Sequence, residues 1–172
     1  MKKKILTLLT VMIASVLLLT GCGGSGGEKG NTVGKIAYDF QLEDTFGNQV
    51  NLSDFLGKPV LLNFWATWCD SCQLEMLLFQ KIYEDENWSK KDLVILAVNL
   101  QEDSNNVKQF LAYFGYTFTV LLDINGSVSN RYNVRGIPVT YLIDKDGIIK
   151  DVLIGAFSSI LNLESKLALI TD

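Results

Sequence analysis

Apolar residues in this chain occur either in short continuous runs or at helical spacing. Short runs predict buried strands at residues 60–64, 93–98, 118–122 and 140–143. Helical spacing predicts helices over residues 71–86, 104–114 and 158–170. The apolar face of the first helix is expected to contain Leu74, Leu77, Leu78 and Ile82. Because strands that alternate with helices pair in parallel and are covered on both faces, the pattern predicts an α/β sandwich.

Two turn signals add hairpins to this sandwich. Gly47-Asn48 separates two strand-like segments at residues 38–42 and 49–52, which predicts an N-terminal β-hairpin followed by one helical turn at 53–56. Lys145-Asp146-Gly147 separates the strand at 140–143 from a second one at 148–153. That later hairpin adds an antiparallel edge to the sheet.

The first 32 residues have the composition of an export segment and a linker. Three lysines precede an apolar run over residues 5–20, which is too short for a comfortable membrane span and is typical of a signal peptide over residues 1–21. Leu19-Thr20-Gly21-Cys22 resembles the lipobox of bacterial lipoproteins, which implies that Cys22 is acylated and becomes the mature N-terminus. Cleavage elsewhere, with Cys22 incidental, is the alternative. Gly-rich residues 22–32 then predict a flexible linker to one domain over residues 33–172.

The charge balance excludes some partners. The chain has 15 basic and 19 acidic residues, and removal of residues 1–21 takes away three lysines and no acid, so the net charge falls from −4 to −7. Nucleic acids and anionic lipid surfaces need clustered Lys and Arg, and the sequence has no basic patch. We therefore expect no nucleic-acid partner. We also expect a monomer, held at the membrane through its lipid.

Cys69 and Cys72 form the one cysteine pair left once Cys22 is acylated. The chain contains no histidine, so it has neither the four Cys and His ligands of a zinc site nor the Cys-His or Ser-His pairs of hydrolases. Two cysteines one helical turn apart are typical of a redox-active dithiol, which needs no metal or other cofactor. An inert structural disulfide is the alternative, although so short a loop would stabilise the fold little.

The position of the pair predicts a role for each cysteine. Cys69 falls at the end of a predicted strand and Cys72 in the first turn of the next helix, where free N–H groups and the helix dipole favour an anion. We expect Cys69 to be the attacking nucleophile and Cys72 the resolving thiol. Asp70 places a carboxylate beside Cys69, which opposes thiolate formation and makes the disulfide less oxidising.

Two motifs give the chain a family resemblance. Phe64-Trp65-Ala66-Thr67-Trp68-Cys69-x-x-Cys72, followed downstream by Gly136-Ile137-Pro138-Val139-Thr140, resembles the thioredoxin superfamily, and residues 33–172 are similar to its extracytoplasmic TlpA/ResA-like branch. The resemblance implies a thioredoxin-like three-layer sandwich with an N-terminal β-hairpin and a central helix-strand insertion at about residues 93–114.

The same resemblance implies roles around the dithiol. Pro138 would be a cis proline against the disulfide, and Ile137 would offer its backbone to an extended substrate peptide; an ordinary loop proline is the alternative. Two departures stand out. Asp70-Ser71 occupies a position where the family often has proline, and Asn63 replaces the buried acid of thioredoxin.

Glu75 is the candidate to replace that acid. It lies three residues after Cys72 on the same helix, so its carboxylate can approach the dithiol, and ResA-like proteins carry a glutamate there that manages thiol protons. A solvated helix glutamate is the alternative. Trp65 is expected in the core and Trp68 on the surface, where it would contact substrate.

Together these observations predict a lipid-anchored thiol-disulfide oxidoreductase on the extracytoplasmic face of a bacterial membrane. The resemblance implies that it reduces cysteine pairs in exported proteins, with apocytochrome c as a candidate substrate and a membrane dithiol relay as electron donor. A disulfide-forming oxidase, an electron donor to a methionine sulfoxide reductase and a non-enzymatic tethered binding module are the alternatives. A thioredoxin-fold peroxidase is disfavoured because its Pro-x-x-x-Thr pattern is missing before Cys69.

Overall fold

A computed structural model describes residues 27–171. The strands, in chain order, are β1 (Lys29–Gly30), β2 (Ile36–Ala37), β3 (Gln41–Asp44), β4 (Gln49–Asn51), β5 (Val60–Trp65), β6 (Val94–Leu100), β7 (Thr119–Asp123), β8 (Val139–Ile143) and β9 (Ile149–Ile154). The α-helices are α1 (Asp70–Glu84), α2 (Glu86–Ser89), α3 (Ser104–Phe114), α4 (Ser127–Arg131) and α5 (Ile160–Thr171). A 3₁₀ turn at Leu52–Phe55 follows the first hairpin.

Seven strands form one mixed sheet in the order β4-β3-β7-β6-β5-β8-β9. Strand β5 pairs in parallel with β6, which pairs in parallel with β7, while β8 is antiparallel to both β5 and β9. Both predicted hairpins are present, and β3 also joins the edge of β7. The predicted α/β sandwich, with helices flanking a central sheet, is confirmed.

Alternation of side chains along β5 separates two hydrophobic clusters. Leu61 and Trp65 belong to the cluster that contains residues of α1, α3 and α5. Leu62 and Phe64 belong to the opposite cluster, which includes Tyr132 and the residues that follow β2. Because successive side chains of a strand point to opposite faces, Asn63 shares the face of Leu61 and Trp65 and is directed toward the α1 side.

The buried face of α1 agrees only in part with the prediction, since Ile82 is buried and Leu78 packs against the core. Leu74 and Leu77 are exposed, whereas the helix buries Cys72, Glu75, Met76, Phe79 and Ile82. Cys72 is fully buried, and the residues that share its side of a helix with 3.6 residues per turn follow at positions 75, 76, 79 and 82. Leu74 is therefore turned toward solvent.

The segment just before the predicted domain boundary is ordered. Strand β1 pairs in parallel with β2, and Asn31 Nδ2 donates a hydrogen bond to the Tyr132 backbone oxygen at 3.0 Å. Residues 28–31, which we expected to be part of the flexible linker, instead pack against the domain because their backbone groups find partners there. The signal peptide and Cys22 lie outside the described residues. Within residues 27–171, no helix is both long enough and apolar enough to cross a membrane.

Candidate active site

Cys69 and Cys72 form a disulfide at the start of α1, immediately beyond the carboxyl end of β5. Cys69 is the residue before the first helical residue, and Cys72 lies in the first turn. Cys69 keeps 7% of its surface exposed and Cys72 keeps none. The geometry therefore leaves Cys69 as the sulfur that an incoming thiol or disulfide can reach.

Two donors of the first helical turn contact Cys69 Sγ. The backbone N–H of Cys72 donates to it at 3.2 Å, and Ser71 Oγ lies 3.5 Å from it. Since the helix dipole adds a positive potential at this end, the surroundings stabilise negative charge on this sulfur. Asp70 is exposed on the same turn and its carboxylate opposes that effect.

Glu75 is fully buried in α1, three residues after Cys72. Asn63 Nδ2 donates to Glu75 Oε1 at 2.8 Å, and the backbone N–H of Phe157 donates to Oε2 at 3.3 Å. Burial raises the pKa of Glu75 to about 7, although both hydrogen bonds oppose the rise. A carboxyl group of this kind can exchange a proton near neutral pH.

Asn63 links Glu75 of α1 to the neighbouring strand β8. It pairs with Thr140 of β8, and its Nδ2 donates to Thr140 Oγ1 at 2.9 Å as well as to Glu75. The resemblance implied that Asn63 stands where thioredoxin has a buried acid. The structure places the carboxyl group of Glu75, on the facing helix, within hydrogen-bond distance of the Asn63 amide.

Glu102, which sequence reasoning did not identify, fixes the loop before Cys69. Its carboxylate accepts hydrogen bonds from the Thr67 N–H at 2.7 Å and the Thr67 hydroxyl at 2.5 Å, and from Asn99 Nδ2 at 2.6 Å. Gln73 Nε2 of α1 donates to the Thr67 carbonyl at 2.7 Å. Thr67 is thus tied both to the end of β6 and to α1. An isolated glutamate after a strand gave no sequence signal for this long-range contact.

An open groove of about 420 Å³ includes in its lining Trp68, the residue before Cys69. It is lined by Trp68, Leu100, Gln101, Val134, Arg135, Gly136 and Ile137. Trp68 is 69% exposed and Trp65 is fully buried, as predicted for each. The Ile137–Pro138 peptide bond is cis, as the family resemblance implied. Trp68 and Ile137, which are far apart in the sequence, therefore line the same groove.

The redox group of this site is the cysteine pair itself. Within residues 27–171, no three His, Cys, Asp or Glu side chains are arranged to hold a metal ion. A helix start that favours a thiolate and a sulfur that keeps some exposed surface are suited to thiol-disulfide exchange, and a buried carboxyl group lies on the same helix.

Comparison with known proteins agrees with this chemistry. Residues 33–152 match the model of the AhpC/TSA family. The thiol-disulfide oxidoreductase ResA of Geobacillus kaustophilus is 42% identical over 126 residues, which cover 73% of this chain and 71% of the relative. ResA of Oceanobacillus iheyensis is 36% identical over 156 residues, covering 88% and 80%. A Chlorobium tepidum structure described as a thiol:disulfide interchange protein DsbE superposes with a TM-score of 0.74 at 32% identity, covering 81% of this chain and 98% of that one.

Proposed function

The chain belongs to the AhpC/TSA family and, within it, to the ResA-like thiol-disulfide oxidoreductases, and on that basis we propose that it reduces disulfides in exported proteins. The observation that carries this proposal is Glu75, a fully buried carboxyl group three residues after Cys72 on the same helix, whose pKa is raised by burial to about 7. A dithiol reductant must lose protons from two thiols, and Glu75 is positioned to accept one of them.

The proposed reaction transfers two electrons in two exchanges. The Cys69 thiolate attacks one sulfur of the substrate disulfide, so the substrate S–S bond breaks, one substrate thiolate leaves and a mixed disulfide forms. The Cys72 thiolate then attacks Cys69 Sγ, which closes the Cys69–Cys72 disulfide and releases the second substrate thiolate. The substrate gains two electrons and two protons, and a membrane dithiol reverses the sequence to restore the reduced enzyme.

Glu75 acts in this scheme on the buried cysteine. Cys72 has no solvent-exposed surface, so its proton needs an internal acceptor before it can attack. The Asn63 amide holds the carboxylate in place. We expect Glu75→Gln to slow disulfide exchange several-fold and to change its pH profile, as followed by stopped-flow reduction of a model disulfide. If this variant reacts at the wild-type rate from about pH 5 to 9, Glu75 does not take part in the proton transfer.

The groove defined above is the proposed substrate surface. Trp68 offers an exposed apolar side chain, and Ile137 lies before the cis peptide bond. An extended peptide that carries a cysteine pair could bind there with its disulfide beside Cys69. Apocytochrome c, whose haem-binding cysteines must be reduced, is the proposed substrate because the named relatives are ResA proteins. The proposed location is the extracytoplasmic membrane face, with the lipid on Cys22 as anchor.

Trapping in living cells tests the direction of electron flow and the role of each cysteine. Cys72→Ala keeps the nucleophile but removes the resolving step, so mixed disulfides with exported proteins should accumulate through Cys69. Cys69→Ala is the matched control and should trap little. We expect the wild-type pair to be mostly reduced in cells, and apocytochrome c to be among the trapped proteins.

Other results would change the assignment in defined ways. A mostly oxidised pair that passes its disulfide to newly exported chains would identify an oxidase. Trapping of a methionine sulfoxide reductase in place of apocytochrome c would identify an electron donor for repair. If Cys69→Ala traps partners as efficiently as Cys72→Ala, Cys69 is not the nucleophile.

A further inference from the structure

The side chain between the two cysteines offers a chemical function that the family motif lacks. Ser71 is exposed in the first turn of α1, and its Oγ lies 3.5 Å from Cys69 Sγ. A disulfide sulfur carries no hydrogen, so in this contact the Ser71 hydroxyl is the donor. Among residues 27–171, Ser71 makes no other side-chain hydrogen bond, so its hydroxyl is not committed elsewhere.

We infer that the Ser71 hydroxyl is a catalytic group of the dithiol, which donates a hydrogen bond to Cys69 Sγ and stabilises the Cys69 thiolate. A hydrogen bond to an anion is stronger than one to a neutral sulfur. Ser71 therefore favours the thiolate over both the thiol and the disulfide. Proline, which the resembling proteins often have between their cysteines, has no such donor. The inference concerns the exchange chemistry itself and holds for either direction of electron flow.

Two further groups, the Cys72 N–H and the Asp70 carboxylate, also affect the stability of the Cys69 thiolate. The Cys72 N–H donates at 3.2 Å, and it stays in place when residue 71 is changed. Asp70 opposes the thiolate with its charge. Ser71 and Asp70 thus have opposite effects from adjacent positions, which predicts that their removal shifts the Cys69 pKa in opposite directions.

The first measurement is the pKa of the Cys69 thiol in the full-length reduced protein. Its pH-dependent alkylation by iodoacetamide can be followed by tandem mass spectrometry, in which fragment ions distinguish Cys69 from Cys72 on the same tryptic peptide and Cys22 lies on another. Ser71→Ala should raise this pKa by about one unit, the size expected for a charge-assisted hydrogen bond at a solvent-exposed position. Ser71→Thr keeps a hydroxyl and should restore the wild-type value. Ser165→Ala, at an exposed position of α5, is the control for loss of a serine hydroxyl.

The second measurement is the pH dependence of the rate at which reduced protein attacks a model disulfide. A thiol whose pKa is one unit higher forms about a tenth as much thiolate at low pH, while each thiolate is about threefold more nucleophilic. Ser71→Ala should therefore react about three- to fourfold more slowly at about pH 6, and about threefold faster above both thiol pKa values. A general structural defect would lower the rate at every pH and would not produce this crossover.

The reduction potential gives an independent readout. At pH values where Cys69 is a thiolate, Ser71→Ala should lower the equilibrium constant for reduction of the disulfide about tenfold. This corresponds to a reduction potential about 30 mV more negative. A Cys69 pKa unchanged in Ser71→Ala, or a shift that Ser71→Thr fails to reverse, would overturn the inference. A lower rate at all pH values with an unaltered thiol pKa would also overturn it, since the serine would then act only on the fold.

Discussion

Replacement of Glu75 by glutamine should change how the stability of the oxidised protein depends on pH. The carboxyl group has no exposed surface, and its burial raises the pKa from 4.5 to about 7. In the unfolded chain the same carboxyl group is solvated and titrates near its ordinary value. The folded state therefore binds the Glu75 proton more tightly than the unfolded state between about pH 4.5 and pH 7.

The sign and size of the effect follow from this difference. Below the unfolded pKa both states hold the proton, so Glu75 adds no pH dependence. As the pH rises toward 7, the unfolded state is favoured by its earlier ionisation, and the free energy of unfolding falls. A shift of about 2.5 units, at 1.36 kcal/mol each, gives a loss of about 3 kcal/mol that is complete above about pH 7. Glu75→Gln cannot ionise and should lack this loss.

Urea denaturation of the oxidised wild type and of Glu75→Gln at about pH 4 and about pH 8 measures the difference. The difference in the free energy of unfolding, variant minus wild type, should increase by about 3 kcal/mol from the lower to the higher pH. At both pH values the free energy of unfolding of the variant should also be lower by a constant amount of about 1–3 kcal/mol, since the amide nitrogen introduced in place of Oε2 cannot accept from the Phe157 N–H. Only the change with pH reports on the buried charge.

Glu84→Gln is the matched control, because it removes a carboxylate from an exposed position of the same helix. Other acidic groups titrate in all three proteins, so their contributions cancel in the comparison. If Glu75→Gln and the wild type lose stability in parallel between the two pH values, Glu75 does not titrate as a buried acid. Its assignment as the proton acceptor of Cys72 would then be wrong.

Three further outcomes are expected. Cys22→Ser should release the protein from the membrane fraction or block its processing, and unchanged fractionation of a correctly cleaved variant would contradict the lipid anchor. Trp68→Ala should raise KM for a peptide disulfide with little change in the free energy of unfolding, because the side chain is 69% exposed; an unchanged KM would remove Trp68 from the substrate surface. Glu102→Ala should lower the free energy of unfolding by about 1–3 kcal/mol in urea denaturation, since the Thr67 N–H, the Thr67 hydroxyl and the Asn99 amide all lose their acceptor; a loss below about 0.5 kcal/mol would contradict this.

The sequence identified those features that depend on neighbouring residues. Helix α3 runs over the predicted residues 104–114 because Asp103 accepts from the Asn105 N–H at its start and Gly115 adopts a left-handed conformation at its end. The cysteine pair was recognisable for the same reason, since three residues of separation at a strand-to-helix junction already define its chemistry. By contrast, α4 was missed because it is only five residues long and starts without a polar residue at its cap.

Tertiary structure decided which side chains meet. The apolar spacing of Leu74, Leu77, Leu78 and Ile82 suggested a face for α1, but the helix turns Leu74 and Leu77 to solvent and packs the face of Cys72 and Glu75 against the sheet. That packing brings Glu75 to Asn63, twelve residues earlier in the chain. No local pattern encodes this contact, because a glutamate in an amphipathic helix is as compatible with solvent as with a core partner.

The contact between Glu102 and Thr67 has the same origin. It joins the ends of two neighbouring parallel strands, β5 and β6, which are 35 residues apart at this point.

The sequence by itself determined the dithiol, the strands and helices around it and the class of reaction. Only the tertiary structure decided that Glu75 meets Asn63 and that Glu102 holds the loop before Cys69, because the packing of α1 on the sheet and the alignment of β5 with β6 set these contacts, not the spacing along the chain.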